Sequence, residues 1–185
     1  MPSLSVYKRE LDYAYAPGIF PTIEALTCAA ERVRRVLVSS QASGHEGLAR
    51  IEALCQSRHI RIEVADKALS RLSGKDNCYA AAVFTKQQDT PLSEENHLVL
   101  HHPSDAGNLG TILRTALGFG YRNIALIQPC ADVFQPHVVR ASMGAIFSLR
   151  IHEYQRFEDY RAPLESAFRH YGVPLFVTRR EEILS

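Results

Sequence analysis

The sequence lacks the features that mark membrane proteins, secreted proteins and disulfide-rich proteins. No apolar run approaches the ~18 residues that a membrane-spanning helix needs, so we expect no contact with a membrane. The first residues, MPSLSVYKRELDY, carry charge where a secretory signal has its apolar core, so we expect no signal peptide and a cytoplasmic protein. The cysteines have no paired spacing, and we expect four buried thiols rather than disulfides, namely Cys28, Cys55, Cys78 and Cys130.

The sequence also has little net charge. Its 185 residues include 21 basic and 20 acidic side chains, a balance of +1 that provides no global attraction to nucleic acid. The charge is uneven locally, because residues 32–75 hold nine basic side chains and four acidic ones. Most of the basic ones are arginines, whose planar guanidinium suits phosphate, although the same stretch could be an ordinary solvated surface. The candidate phosphate contacts at its start are Arg32, Arg34 and Arg35.

Apolar periodicity predicts two α/β units. After a tyrosine-rich arm over residues 1–19 that we expect to pack onto another element, we predict helices at 21–32, 45–58 and 66–74 and strands at 33–40, 60–65 and 79–84. Residues 86–96 have no apolar periodicity and are predicted to be a linker. Beyond it, we predict strands at 97–102, 123–128, 145–151 and 173–178 and helices at 108–119, 136–142 and 157–171. Strands that alternate with helices in this way predict a parallel sheet with right-handed crossovers.

The richest functional pattern is HHPSDAGNLGTILRTALGFG, residues 101–120, which follows a predicted strand and opens a predicted helix. Gly107 and Gly110 would let a ligand approach the backbone at the carboxyl end of that strand. Asn108 between them is the predicted N-cap, and the missing side chain at Gly110 would give Arg114 a clear path toward the helix start. An arginine beside a helix N-terminus favours phosphate or developing negative charge. The alternative is an exposed helix with an ordinary surface arginine.

Other nucleotide-binding and catalytic patterns are missing. There is no G-x-x-x-x-G-K-[ST] loop, and the only G-x-G, residues 118–120, ends a helix instead of following a strand. Cys55 and His59 lie one helical turn apart, but no second pair has ligand spacing, so we expect no metal site. Residues 101–105 contain His, Ser and Asp, but near-consecutive residues cannot form the geometry of a hydrolase triad.

The segment DAGNLGTILRTALGFG (105–120), followed by VVRASMGAIFSLRI (138–151), resembles the first motifs of the SpoU/TrmH family, RNA 2′-O-ribose methyltransferases of the SPOUT class. The resemblance implies methyl transfer from S-adenosylmethionine to a ribose 2′-hydroxyl of rRNA or tRNA. It aligns Arg114 with the catalytic arginine and Asn108 with a second active-site position. It also implies that the turn with Ser142 and Gly144 lies near the cofactor and the dimer contact. The RNA contacts that we predict on this basis are Arg32, Arg34, Arg35 and Arg140, although Arg140 could instead cap its helix.

We therefore predict two domains in a homodimer. A small ribosomal-protein-like α/β domain that binds substrate RNA (1–96) precedes the N-terminal part of a SPOUT-type parallel-sheet α/β domain (97–185). By resemblance, the family holds its cofactor with later Gly-x-Glu and Ser-Leu-Asn-x-Ser segments, and this sequence ends at VTRREEILS before them. We expect the 185-residue chain alone to bind S-adenosylmethionine weakly or not at all and to transfer no methyl group. One alternative is a non-catalytic RNA-binding or dimerisation module derived from the family. A second alternative, supported only by the 107–110 loop, is a domain that binds a small-molecule nucleotide.

Overall fold

The computed structural model describes residues 6–42, 44–73, 78–89 and 95–162. Up to residue 89 the described elements alternate between strand and helix. They are β1 (Tyr13–Pro17), α1 (Ile19–Cys28), β2 (Val33–Val38), α2 (Glu46–Ser57), β3 (Ile62–Val64), α3 (Asp66–Ser73) and β4 (Ala80–Thr85), with 3₁₀ turns at Ala30–Arg32 and Ser40–Ala42. Within the described ranges, no helix is both long and apolar enough to cross a membrane.

These strands form a first sheet with the order β1-β4-β2-β3. β4 runs antiparallel to both β1 and β2, whereas β3 is parallel to β2. Successive side chains of β2 point to opposite faces of the sheet. Val36 and Val38 join an apolar cluster with α1 and α2, and Leu37 packs with Leu69 of α3. Helices therefore cover both faces of this sheet, as the alternation of strands and helices predicts.

The predicted N-terminal arm is wrong for residues 13–17, because these residues form the edge strand β1. Its register with β4 runs from Tyr13 opposite Thr85 to Pro17 opposite Ala81. Ala14 and Ala16 are fully buried on one face of the sheet, and Tyr15 is buried on the other. The strand was missed because alanine is depleted in strands, so YAYAP shows no run of β-forming residues.

The second sheet is parallel, as predicted. It has the order β5-β6-β7, and its elements are β5 (His97–His101), α4 (Ala106–Gly118), β6 (Asn123–Ile127), α5 (Pro136–Ala141), β7 (Arg150–Tyr154) and α6 (Phe157–Arg161). The predicted strand at 173–178 and the end of the predicted helix at 157–171 lie outside the described residues.

The strand predicted at 145–151 is wrong in its first half. Ala145–Phe147 form a 3₁₀ turn, and β7 begins only at Arg150. Gly144 takes a left-handed φ of 85° before the turn, which redirects the chain after α5. Three consecutive residues are then buried against α1 and α4, whereas a strand would alternate between two faces.

One apolar cluster contains buried residues of both sheets. Phe84 of β4 packs edge-on against Phe147 with ring centroids 4.8 Å apart, and tilted against Phe134 at 6.3 Å. The Arg32 guanidinium lies 5.7 Å from the Phe84 ring centroid, and its Nε donates to the Thr85 carbonyl at 3.2 Å. The domain boundary near residue 96 stays a prediction.

The prediction of four buried thiols is wrong for Cys28. This residue ends α1 and is exposed, while Cys130 is half-buried and Cys55 and Cys78 are buried. Burial raises the pKa of the Cys55 and Cys130 thiols to about 11. All four side chains are free thiols in the structure.

Candidate functional site

The carboxyl ends of β5, β6 and β7 border a cleft of about 310 Å³, at the position where open parallel sheets bind ligands. The rings of His101 and His102, which follow from β5, stack with centroids 3.8 Å apart. Most of the lining side chains are polar and exposed, and the full set is His101, His102, Ile127, Gln128, Gln155, Arg156, Phe157 and Glu158. The described residues hold no cluster of three metal-ligating side chains.

The N-terminus of α4 begins beside this edge, and its cap differs from the prediction. Asp105, not Asn108, is the N-cap: its backbone is extended (φ −85°, ψ 123°), and its carboxylate accepts from the Asn108 N–H at 2.7 Å. α4 therefore starts at Ala106, two residues earlier than predicted. The Asp105 carboxylate already offsets the positive end of the helix dipole, so this N-terminus is a poorer anion site than the sequence suggested.

Arg114 lies on the exposed side of α4, eight residues after the helix begins. At 1.5 Å per residue this separation is about 12 Å along the axis, so Arg114 and the helix N-terminus do not converge as expected. Asn108 is also exposed, and it lies about 9 Å from Arg114 along the axis by the same measure. No described residue forms a hydrogen bond or an ion pair with the Arg114 side chain, which leaves its guanidinium available to a ligand.

Gly110 has a different role from the one predicted. It faces α5 and is buried, and a Cβ there would lie 2.6 Å from the Ala141 Cβ, 2.7 Å from the Val138 carbonyl oxygen and 2.9 Å from the Ser142 nitrogen. The missing side chain therefore allows α4 and α5 to approach each other, and it opens no path for Arg114. At Gly107 a Cβ would have only ordinary contacts, 3.4 Å or more from Asp105 and from His137 of α5.

The turn that the resemblance links to the cofactor faces the protein interior. Ser142 is fully buried, and its hydroxyl donates to the Val139 carbonyl at 2.8 Å. A Cβ on Gly144 would lie 2.7 Å from the Glu24 Cβ and 3.1 Å from the Pro21 Cα, so this turn packs closely against α1. Only glycine combines this close approach with a φ of 85°. A cofactor contact by Ser142 or Gly144 stays a prediction.

The three predicted RNA contacts of the first sheet all have partners within the chain. Arg34 pairs with Asp12 at 2.7 Å, and Arg35 pairs with Glu63 at 3.3 Å. Arg32 is half-buried between aromatic rings, and burial lowers its pKa. These contacts offset part of the local positive charge, so an RNA phosphate would have to compete for each guanidinium. Arg140 is half-buried on α5.

The N-terminal arm does pack onto another element, as expected for its first part. The Tyr7 hydroxyl donates to the Asp132 carboxylate, and Arg9 pairs with Glu153 at 2.9 Å. Glu153 also accepts from the Gln128 side chain at 2.6 Å, while the Lys86 ammonium donates to the Arg9 carbonyl at 2.9 Å. The arm thus joins the first sheet to the carboxyl side of the second one beside a smaller cleft of about 190 Å³. Sequence spacing gave no signal for these pairs, because the partners are more than 120 residues apart.

Comparison with known proteins covers mainly the second half of the chain. Residues 95–183 match the model of the SpoU rRNA Methylase family. A segment of 65 residues is 46% identical to the mitochondrial rRNA methyltransferase 3 of Mus musculus, and the segment is 34% of this chain and 16% of that protein.

Solved structures cover more of the chain. An rRNA methyltransferase from Sinorhizobium meliloti is 27% identical and superposes with a TM-score of 0.66 over 85% of this chain and 60% of that one. An AdoMet-bound structure of an rRNA methyltransferase from the same organism is 25% identical and superposes with a TM-score of 0.64, over 84% of this chain and 59% of that one. The chain therefore spans about three fifths of the length of these structures and a smaller share of the mouse protein.

Proposed function

Because residues 95–183 match the model of the SpoU rRNA Methylase family, we propose that the protein methylates RNA with S-adenosylmethionine as methyl donor. The acceptor is a ribose 2′-hydroxyl of rRNA or tRNA. When bound, the donor would supply the methyl group, and the proton of the ribose hydroxyl would pass to solvent. The family match and the AdoMet-bound relative from Sinorhizobium meliloti support this reaction class.

The observation that carries the proposal is the guanidinium of Arg114, which is exposed on α4 and has no partner among the described residues. Arginine stays protonated in proteins, so its role is to hold the phosphate beside the target ribose and to stabilise the forming alkoxide. Holding the phosphate also orients the hydroxyl for in-line attack. Asn108, one and a half turns earlier on the same helix, contributes an amide that binds the ribose.

The larger cleft does not fit S-adenosylmethionine. Sites for such ligands are mostly apolar and enclose the molecule, whereas six of the eight residues that line this cleft are polar. Its volume of about 310 Å³ is also at the lower end of the range for small-ligand sites. The described residues are therefore not assigned to the cofactor, and we derive no step from cofactor contacts.

The proposed partners are RNA and a second copy of the chain, in the cytoplasm. By resemblance, family sites are completed across a dimer, with residues 136–151 near the contact. Val138, Val139 and Ile146 are buried within the protomer, so such a contact would use exposed side chains such as His137. Sedimentation of the protein at tens of micromolar tests the dimer.

The experiment that tests the function is methyl transfer from labelled S-adenosylmethionine to rRNA and tRNA by a protein that carries these 185 residues together with the later family segments, with 2′-O-methylation detected as resistance of the bond to alkaline hydrolysis. The 185 residues alone should transfer no methyl group. Arg114→Ala should lower the rate by about 10²–10³-fold, as is typical when a preorganised charge stabiliser is removed. Arg114→Lys should also be slow, because an ammonium cannot reproduce the planar guanidinium. Arg50→Ala, at an exposed arginine of α2, is the control and should leave the rate unchanged.

The methylation assay also distinguishes a catalytic protein from a non-catalytic RNA-binding module. RNA binding without methylation in the protein that carries the later family segments would identify a non-catalytic RNA-binding module. Full activity of Arg114→Ala would remove Arg114 from the mechanism.

A further inference from the structure

The amino edge of the second sheet carries an exposed cluster of two aromatic and two cationic side chains, which we call the amino-edge cluster. It consists of Phe119, Tyr121, Arg122 and Arg150. Phe119 is 79% exposed and Tyr121 is 40% exposed, which makes Phe119 the most exposed large apolar side chain in the described part of the chain.

A rigid turn holds the aromatic side chains of the cluster in solvent. α4 ends at Gly118, and three backbone hydrogen bonds of 3.0 Å run from residues 119, 120 and 121 back to Thr115, Leu117 and Ala116. Gly120 takes a left-handed φ of 84°, which ends the helix in the usual way. The exposure of Phe119 therefore follows from a well-bonded helix end.

The two arginines of the cluster are neighbours along the backbone, because Arg122 directly precedes β6 and Arg150 is the first residue of β7. The Arg150 N–H donates to the Arg122 carbonyl at 2.8 Å, and the Arg122 guanidinium donates to the Ser148 carbonyl at 3.3 Å. No described carboxylate pairs with either side chain. The carboxylate of Glu95 at the same edge accepts from the Asn123 amide at 2.7 Å.

The sequence around the cluster is poor in acid. Residues 106–152 contain four arginines and a single acidic residue, Asp132, which lies at the opposite edge of the sheet and accepts from Tyr7. The cluster thus combines apolar rings with positive charge that no carboxylate in the described part of the chain pairs. A protein partner with an apolar surface would use the rings but not the charge, whereas a nucleic acid uses both.

We propose that the amino-edge cluster binds single-stranded RNA, with a base stacked on Phe119 and phosphates on Arg122 and Arg150. The proposal rests on the proposed function, since it assigns a contact for the same RNA substrate. Stacking on aromatic side chains combined with cationic contacts to the backbone is how proteins hold single strands. Phe119 directly follows the last residue of α4, and its rise from Arg114 along the helix axis is about 7.5 Å, or about two stacked nucleotides.

The test measures the binding of a labelled single-stranded oligoribonucleotide by fluorescence anisotropy, without cofactor, over a range of salt concentrations. Phe119→Ala should weaken binding by about 5- to 150-fold, the usual effect of losing one stacked base. Arg122→Gln and Arg150→Gln should each reduce the slope of log affinity against log salt by about 0.7. Phe20→Ala is the matched control, because Phe20 is 64% exposed on α1, and it should bind like the wild type.

The possible results are distinguishable. Wild-type binding that Phe119→Ala does not weaken would overturn the proposal and leave the proposed function intact. A wild type that binds no RNA at any salt concentration would contradict both. If Phe119→Ala changes the sedimentation of the protein but not its RNA affinity, the cluster is a protein contact and the proposal is wrong.

Discussion

The close contact between α4 and α5 gives a sharp prediction from two glycines of the same helix. Gly110 and Gly107 lie three residues apart on α4, and only the first has close neighbours. We predict that Gly110→Ala destabilises the protein, whereas Gly107→Ala is neutral or stabilising. If helix propensity alone acted, both substitutions would stabilise, because alanine exceeds glycine by about 1 kcal/mol in a helix interior.

The size of the destabilisation by Gly110→Ala follows from the distances between a Cβ on residue 110 and its neighbours. A Cβ on residue 110 would lie 2.6 Å from the Ala141 Cβ, whereas carbon atoms prefer about 3.5–4.0 Å, so the two helices would have to separate by about 1 Å. The other two short contacts are to backbone atoms, which cannot rotate away. Overpacking typically costs about 1–3 kcal/mol, and we expect the upper end. Subtracting the gain in helix propensity leaves a net loss of about 2 kcal/mol.

Urea unfolding followed by far-ultraviolet circular dichroism measures both variants against the wild type. The m-value should stay constant, so that the shift in midpoint reports stability alone. We expect a gap of about 2–3 kcal/mol between the two variants, with Gly110→Ala below the wild type. A Gly110→Ala protein as stable as the wild type would show that α4 and α5 do not approach as closely as the structure has them.

Two further predictions concern the arm and the thiols. Tyr7→Phe removes the donor that Tyr7 provides to Asp132, and we expect a loss of about 1–2 kcal/mol by urea unfolding, because a partly buried carboxylate loses its partner; an unchanged midpoint would mean that the arm does not dock. With a thiol reagent at pH 8, Cys28 should react first and the three other cysteines slowly. The raised pKa of about 11 for Cys55 and Cys130 leaves about one thiolate in a thousand at that pH, so their rates should rise steadily as the pH approaches 11, and four equally fast thiols would contradict the structure.

The alternation of helices and strands could be predicted from the sequence because most strands have a strong local signal. β2, β4, β5 and β6 are short runs rich in apolar residues, most of them buried. β1 lacked that signal, because two of its four buried positions hold alanine. The sequence of Ala145–Phe147 wrongly indicated a strand, since a run of apolar residues is equally compatible with a strand and with a turn buried on all sides.

The placement of Asn108 and Arg114 on a helix was predictable from the sequence, but their contacts were not, and their role in a site stays a prediction. The motif around Asn108 and Arg114 could be identified from residue types, and both side chains are exposed on α4. The cap was misassigned because Asp105 and Asn108 are both good N-cap residues, and the helix begins at the earlier one. The role of Gly110 depends on Ala141, about thirty residues later, so no local pattern indicates it.

The charge of a surface is also hard to predict from a sequence segment, because the partner of a charged side chain can lie far along the chain. The excess of basic residues over 32–75 suggested an RNA-binding surface, but Arg34 is paired with Asp12, 22 residues earlier in the chain, and Arg35 with Glu63, 28 residues later. Counting charges over residues 32–75 includes Glu63 but misses Asp12, and it does not show which charges are paired. The structure therefore lowers the charge that β2 offers to a phosphate. Arg114 and Arg150 have no carboxylate partner among the described residues. Because phosphate binding needs a guanidinium that no carboxylate already holds, the favoured path for RNA shifts from β2 to the exposed side of α4 and the amino edge of the second sheet.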